Sequence, residues 1–541
     1  MVVILCLAVV TVLTLQVQAL PTTTPTVDVG YATYAGNLTY PNVVSYLGIP
    51  YAEPPVGESR FRSPVPLNTT RIQEAANGKP FDATSYPDFC IQSTTGAGDA
   101  GGAGSEDCLK VNIYSPLGAK KADKLPVLVY FHGGAYTYGN PGQWPFDHWV
   151  QQVPHVVIVS VYYRLGVYGF LAHPEFLSNS TLGDLNAGFQ DQTEALRWVQ
   201  KHISAFGGDP GRVTIDGDSA GGTVVALRMV VPHMEGLFHA GITQSAWRPP
   251  TPTPAQQEPL FNFLSQQAGC SSGTLTEQMR CLRDADTSIL SRAQDTPFNG
   301  SYNAFHVVQE PNTVPDLLTT SLLQNRFRRL PLMVGSTSNE TVHGLADPPS
   351  VAISLKSFYP QLSDEDLREY EQQYPITAFD NSTQQIQTAT YESWFVCTRN
   401  IMGGAFSGQN VKTWSYRYNQ PNPANGDAPL VDHQAENYIM FRGTNPGFNG
   451  TTTYIPLDPI QTAFSEELIA YWLSFVRTGD PNTYKLDRSP RWPGYETNGK
   501  SRIVLQQGTD VAHSGSHVEQ ESSVESRRCA FVRSKSAAEQ T

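Results

Sequence analysis

The run Gly217-Asp218-Ser219-Ala220-Gly221 places one serine between two glycines, after Val213-Thr214-Ile215-Asp216 and before Thr223-Val224-Val225-Ala226-Leu227-Arg228-Met229. Strand, tight turn and helix in that order suit a nucleophilic serine. A sharp turn lifts the hydroxyl above the sheet, and small flanking residues let strand and helix approach closely. The turn also puts Ser219 at a helix N-terminus, where free backbone N–H groups and the dipole favour developing negative charge. A second glycine-rich segment, His132-Gly133-Gly134-Ala135-Tyr136, ends the apolar run Leu125 to Phe131. Its N–H groups can meet that of Ala220 to form an oxyanion hole, so the chemistry indicated is serine attack on a carbonyl.

Two other patterns carry no chemistry. Gly96-Ala97-Gly98-Asp99-Ala100-Gly101 fits G-x-G-x-x-G, but it follows no strand and opens no helix, so no dinucleotide is expected there. No C-x-x-C spacing occurs, and neither a metal nor a cofactor is expected.

The elements that must hold these loops are legible in the middle of the chain. Leu125 to Phe131, Val156 to Tyr162 and Val213 to Asp216 read as strands apolar on both faces, with a helix over Ala187 to Ser204. Such runs, separated by helices, indicate a parallel sheet covered on both sides and hence an α/β fold. Further on, helical patterns cover Leu260 to Ala268 and Thr462 to Arg477, an acidic segment spans Asp364 to Gln373, and the chain after Gln507 reads as a polar tail.

Composition narrows the setting. With 36 Lys and Arg against 49 Asp and Glu, the net charge is −13 and the basic residues are not clustered. Nucleic-acid binding and a polybasic membrane anchor are excluded on that ground. Val2 to Leu15 is apolar, too short to span a bilayer, and followed by Val17-Gln18-Ala19. Residues 1–19 therefore read as a secretory signal, although no Lys or Arg precedes the apolar run. Outside it the cysteines form an even set of six, Cys90, Cys108, Cys270, Cys281, Cys397 and Cys529, which fits an extracellular protein with disulfides. Sequons at Asn37, Asn68, Asn179, Asn299, Asn381 and Asn449 are candidate glycosylation sites, while a glycan at the further sequon Asn339 would crowd its neighbour Glu340.

The chain resembles the type-B carboxylesterase and lipase family that includes the cholinesterases, in its secreted microbial or fungal form. The residues carrying the resemblance are Tyr46-Leu47-Gly48-Ile49-Pro50-Tyr51-Ala52 with Pro54-Pro55-Val56-Gly57 and Arg60-Phe61; Ser105-Glu106-Asp107-Cys108-Leu109; Tyr163-Arg164-Leu165-Gly166 with Gly169-Phe170-Leu171; Asp191-Gln192; Trp198-Val199; Phe206-Gly207-Gly208-Asp209-Pro210; and the serine turn. It is dense from about residue 30 to 250 and thinner beyond. It implies one α/β-hydrolase catalytic domain over residues 20–541, on a large mixed, mostly parallel sheet.

The resemblance also implies the remaining site residues. The acid is Glu340, after Leu332-Met333-Val334-Gly335-Ser336-Thr337-Ser338-Asn339, although Thr341 stands where the family has Gly. Of the histidines that follow, His343, His433, His513 and His517, the base is His433, ahead of an aromatic segment as in the family. Gly134, Ala135 and Ala220 carry over as oxyanion donors, with Ala135 in place of the family's third Gly. Arg60 with Glu106 and Arg164 with Asp191 carry over as structural ion pairs. The disulfides implied are Cys90 with Cys108, Cys270 with Cys281, and Cys397 with Cys529, the last tying down the tail.

The function implied is a secreted serine ester hydrolase acting on a small-molecule or lipid ester, with lipase, sterol-esterase or feruloyl-esterase activity as variants. A catalytically silent adhesion module and an amidase are the other readings of the same fold. In related lipases the first disulfide loop carries an amphipathic lid, and in cholinesterases a tryptophan that holds choline. Here its 17 residues are mostly Gly, Ala, Ser and Thr, with neither an apolar helix face nor an aromatic ring. Short to medium acyl esters are therefore expected, with little preference for choline esters.

Overall fold

Alternate side chains of Leu125–Phe131 enter two different cores: Val127, Val129 and Phe131 one, Leu128 and Tyr130 the other. A strand buried on both faces needs cover on both, and the chain supplies it with helices. The structure, a computed structural model, describes residues 24–94, 102–342, 348–425, 430–446, 450–496 and 499–541. Seven strands run parallel side by side: β1 (Leu125–Phe131), β2 (Val157–Val161), β3 (Gly208–Asp218), β4 (Ala240–Gln244), β5 (Leu332–Thr337), β6 (Thr413–Tyr418) and β7 (Ser501–Leu505), in the spatial order β2-β1-β3-β4-β5-β6-β7. Antiparallel strands continue the sheet on both flanks, Lys110–Pro116 beside β2 followed by Val43–Pro50, and His517–Gln520 beside β7; with Phe81–Ala83, which pairs parallel to Thr33–Tyr40, the sheet counts thirteen strands among the described residues.

Helix α1 (Ala187–His202) and helix α2 (Ala220–Val230) pack Leu196, Val199, Val224 and Val225 on one face. On the other face lies α4 (Pro459–Thr478), with Leu468, Trp472 and Phe475 fully buried; α3 (Ala435–Met440) precedes it. Burial of such side chains contributes roughly 1.5–3 kcal/mol each, and here it comes from both sides of the sheet. The fold is the mostly parallel, helix-covered α/β sheet read from the sequence, and β1 coincides with the expected strand. The serine strand is longer than expected, because Gly208 to Arg212 pair or extend ahead of the apolar part.

The tail differs most. Beyond Gln507 lie the strand His517–Gln520 and the helices Ser523–Ser534 and Ser536–Glu539. Much of the segment is exposed, but several of its charges are paired. Glu519 pairs with Arg417 and Arg502, Glu521 with Arg399 and Lys500, and Glu539 with the buried Arg248. Three disulfides join Cys90 to Cys108, Cys270 to Cys281, and Cys397 to Cys529, the last across 132 positions.

Among the described residues, no helix is long and apolar enough to cross a membrane. Asn37, Asn68, Asn179, Asn299 and Asn381 are exposed, as is Asn339, whose side chain accepts from the Val431 N–H. The proposed signal (residues 1–19), the Gly96 to Gly101 loop, His343 and Asn449 lie outside the described residues.

Candidate active site

Ser219 stands at the end of β3 with φ 57° and ψ −121°, a backbone conformation that L-residues seldom adopt. The glycines of the turn permit it. A Cβ on Gly221 would meet the Phe131 carbonyl oxygen at 2.0 Å, and one on Gly217 the Gly221 carbonyl oxygen at 2.4 Å. The Ser219 N–H donates to the Gln244 carbonyl on β4 (2.9 Å), and Trp247 N–H donates back to the Ser219 carbonyl (3.2 Å). The turn that carries the hydroxyl is thus held by backbone bonds on both sides.

Glu340 follows β5 and is fully buried, again at a positive φ of 55°. Its Oε1 accepts from the Thr337 N–H (2.7 Å) and the Ser245 hydroxyl (2.7 Å), which leaves Oε2 for His433 Nδ1 at 2.6 Å. The other ring nitrogen, Nε2, lies 2.8 Å from Ser219 Oγ. His433 is also fixed from behind, since its N–H donates to the Thr341 carbonyl (2.8 Å) and the Phe395 ring packs on the imidazole at 4.1 Å between centroids. The structure therefore brings Ser219, Glu340 and His433 into one hydrogen-bonded chain. Thr341, which departs from the family's Gly, serves through its carbonyl, an atom any residue supplies.

The imidazole is charged more readily than a free one. Burial alone would hold its pKa down, but the hydrogen bond and charge of Glu340, with Asp218 and Glu436 beyond, more than offset this and raise it above 6.5. By contrast burial pushes His132, stacked on Tyr163 at 4.4 Å, down to about 4 and keeps it neutral.

The loop expected to supply oxyanion donors is a run of left-handed residues: Gly134 at φ 100°, Ala135 at 52° and Tyr136 at 61°. Only Gly fits at 134, where a Cβ would lie 2.0 Å from the Tyr138 carbonyl oxygen. Among the described residues no backbone acceptor engages the N–H of Gly134 or Ala135, and Ala220, first in α2, has an N–H with no partner within its own helix. Rings continue from Tyr136 through Trp247 (6.3 Å), Phe358 (5.7 Å) and Trp394 (4.2 Å) to Phe395 (6.3 Å) and the base. An aromatic arc thus joins the oxyanion loop to His433.

Several contributors had no sequence signal: Ser245, Thr337 and Phe395, the last in a one-turn π-helix, Glu392–Val396. His513 and His517, four positions apart, are far from this chemistry, His513 bonding Asp510 and His517 the Gly515 carbonyl. Among the described residues no group of three His, Cys, Asp or Glu is placed to hold a metal. The ion pairs Arg60 with Glu106 and Arg164 with Asp191 both form, at 2.5 and 2.6 Å.

Comparison with known proteins places this geometry in context. The family model described as "Carboxylesterase family" matches residues 23–532. Carboxylesterase 1E of Rattus norvegicus is 28% identical over 84% of this chain and 84% of its own length, and Lipase 1 of Geotrichum candidum is 27% identical over 86% and 88%. The crystal structure of Aspergillus niger EstA superposes with a TM-score of 0.83 at 29% identity, covering 96% of this chain and 99% of that one.

Proposed function

This chain belongs to the carboxylesterase family, and we propose that it hydrolyses carboxylic esters outside the cell through a covalent acyl-enzyme at Ser219. The observation that carries the mechanism is the unbroken hydrogen-bonded chain Ser219–His433–Glu340. His433 takes the hydroxyl proton as Oγ attacks the ester carbonyl. It then returns that proton to the leaving alcohol, and water repeats the sequence to release the acid. Glu340 keeps the Nδ1 proton in place and stabilises the imidazolium. The N–H groups of Gly134, Ala135 and Ala220 receive the oxyanion, a contribution of roughly 10²–10³ in rate per donor. Secretion is supported by three disulfides, which persist in oxidising compartments.

The raised imidazole pKa has a kinetic consequence. The base must be neutral to act, so kcat/KM for a neutral ester falls as pH drops through a value above 6.5. Glu340→Gln removes the charge that raises the pKa, so this acid limb moves to lower pH while the maximal rate also falls. A limb that Glu340→Gln leaves unmoved contradicts the assignment.

For substrate class we propose dispersed esters of short to medium acyl chains. Ala135 sets a methyl beside the oxyanion position, and the arc from Tyr136 to Phe395 offers an apolar wall to the acyl or alkyl group. The Cys90 to Cys108 loop, described at residues 91–94 and 102–107, shows neither helix nor aromatic ring there. Rate measured against concentration of a partly soluble ester rises hyperbolically and shows no break at the solubility limit. A sharp jump at that limit, or a marked choline-ester preference, overturns the substrate assignment and leaves the mechanism standing.

A further inference from the structure

Two side-chain amides on the segment that carries the base reach across to the residue before the nucleophile. Gln434 Nε2 donates to Asp218 Oδ2 at 2.6 Å, and Asn437 Nδ2 to the same oxygen at 3.0 Å. Among the described residues these are the only hydrogen-bond donors to the fully buried Asp218 carboxylate. Gln434 is held in a conformation that favours glycine, φ 66°, and it has no side-chain role in capping α3. Its strain is therefore not explained by the helix it precedes. The third wall of the contact is the oxyanion loop, since a Cβ on Gly133 would lie 2.8 Å from Gln434 Nε2 and 3.0 Å from Ser219 Cβ. One carboxamide, carried by the residue after the base, thus reaches the neighbour of the nucleophile and lies against the Gly133 backbone.

We propose that Gln434 is a positioning residue, whose carboxamide braces the His433 segment against Asp218 and the oxyanion loop and so fixes the spacing across which Ser219, His433 and the oxyanion donors act. The brace lies among charges that respond to one another. Burial pushes the Asp218 carboxyl up, the His433 charge pulls it back, and the two amides pull in the same direction. Asp218 in turn favours the charged imidazole. Losing the amide leaves a buried carboxylate on one donor and frees the loop after the base to relax toward it. A displacement well below 1 Å suffices to slow a reaction that depends on near-attack geometry.

The inference rests on the serine mechanism above, and the experiment separates the two. Gln434→Gly removes the brace and suits the left-handed backbone; Gln434→Met keeps the bulk and removes the donor. Each protein is assayed on an aryl ester and treated with an aryl phosphonate ester, in which Ser219 Oγ forms a bond to phosphorus as the aryloxide leaves with the serine's proton. Intact mass and peptide mapping locate and time the label. Both variants lose about tenfold in kcat and in labelling rate, with KM within about twofold of wild type. The thermal midpoint of Gln434→Gly stays at or above that of Gln434→Met, because both lose the bond to Asp218 and only glycine relieves the strain. A kcat within twofold of wild type in both variants overturns the proposal. So does a loss of kcat that scales with the lowering of the midpoint across the two variants, which marks a merely structural contact. Failure of wild-type Ser219 to take the label overturns the nucleophile assignment itself, and the brace with it.

Discussion

Ser219→Ala is expected to lower ester turnover by about 10⁶-fold, the scale of nucleophile knockouts in serine triads. The substitution removes one atom, Oγ, and leaves His433 on Glu340 and the left-handed loop at Gly134 and Ala135 unchanged. What survives is the modest acceleration from binding and oxyanion donors acting on attack by water. Alanine at φ 57° is no more strained than serine, so yield and thermal midpoint should match wild type. Purified variant and wild type assayed on the same aryl ester decide the matter. A variant retaining a tenth of the wild-type rate ends the acyl-enzyme account, because among the described residues no other hydroxyl bonds to His433.

The second large effect is on stability. Asp191, fully buried in α1, accepts from the backbone N–H of Arg164 (3.1 Å), its Nε (2.8 Å) and a terminal guanidinium nitrogen (2.6 Å). Neither partner reaches water, their side chains being 3% and 0% exposed. Asp191→Asn therefore strands a guanidinium charge in the core at a cost of about 3–5 kcal/mol, a large part of the roughly 5–15 kcal/mol that holds a typical domain folded. Urea denaturation should show this as a lowered midpoint. The double variant Arg164→Met with Asp191→Leu should recover at least half of the loss, since a desolvated pair is often no better than an apolar one. A single variant within about 1 kcal/mol of wild type refutes the account.

The parts of the molecule that could be read from sequence are those where one local pattern has one structural meaning. Leu125 to Phe131 is buried on both faces, so its apolar run had a single reading; the Gly217 to Gly221 turn is equally local. Glu340 and His433 were placed by resemblance, because nothing in a lone acid or histidine states which loop it will meet 93 residues away. The tail, read as polar and tied down by Cys529, shows where such reading stops. Its glutamates are partnered by Arg399, Arg417 and Arg502 from distant segments, so charge that signals solvent in isolation is internal in the fold. Gln434 and Asn437 were invisible for the same reason, as an amide reports its partner only after folding.

The tail strand also guards the chain against itself. Ile503, Val504 and Leu505 of β7 are fully buried, and one side of that strand is covered by His517–Gln520 alone. Were the tail to detach, a flat apolar strand with unsatisfied backbone groups would face solvent, a template for pairing with other molecules. The strand that covers it is short, and its Glu519 is engaged by two arginines of the inner strands, so the outermost edge of the sheet is charged and poorly suited to further growth. Together with the covalent tie of Cys529 to Cys397, these residues hold a charged strand over the apolar rim of the sheet.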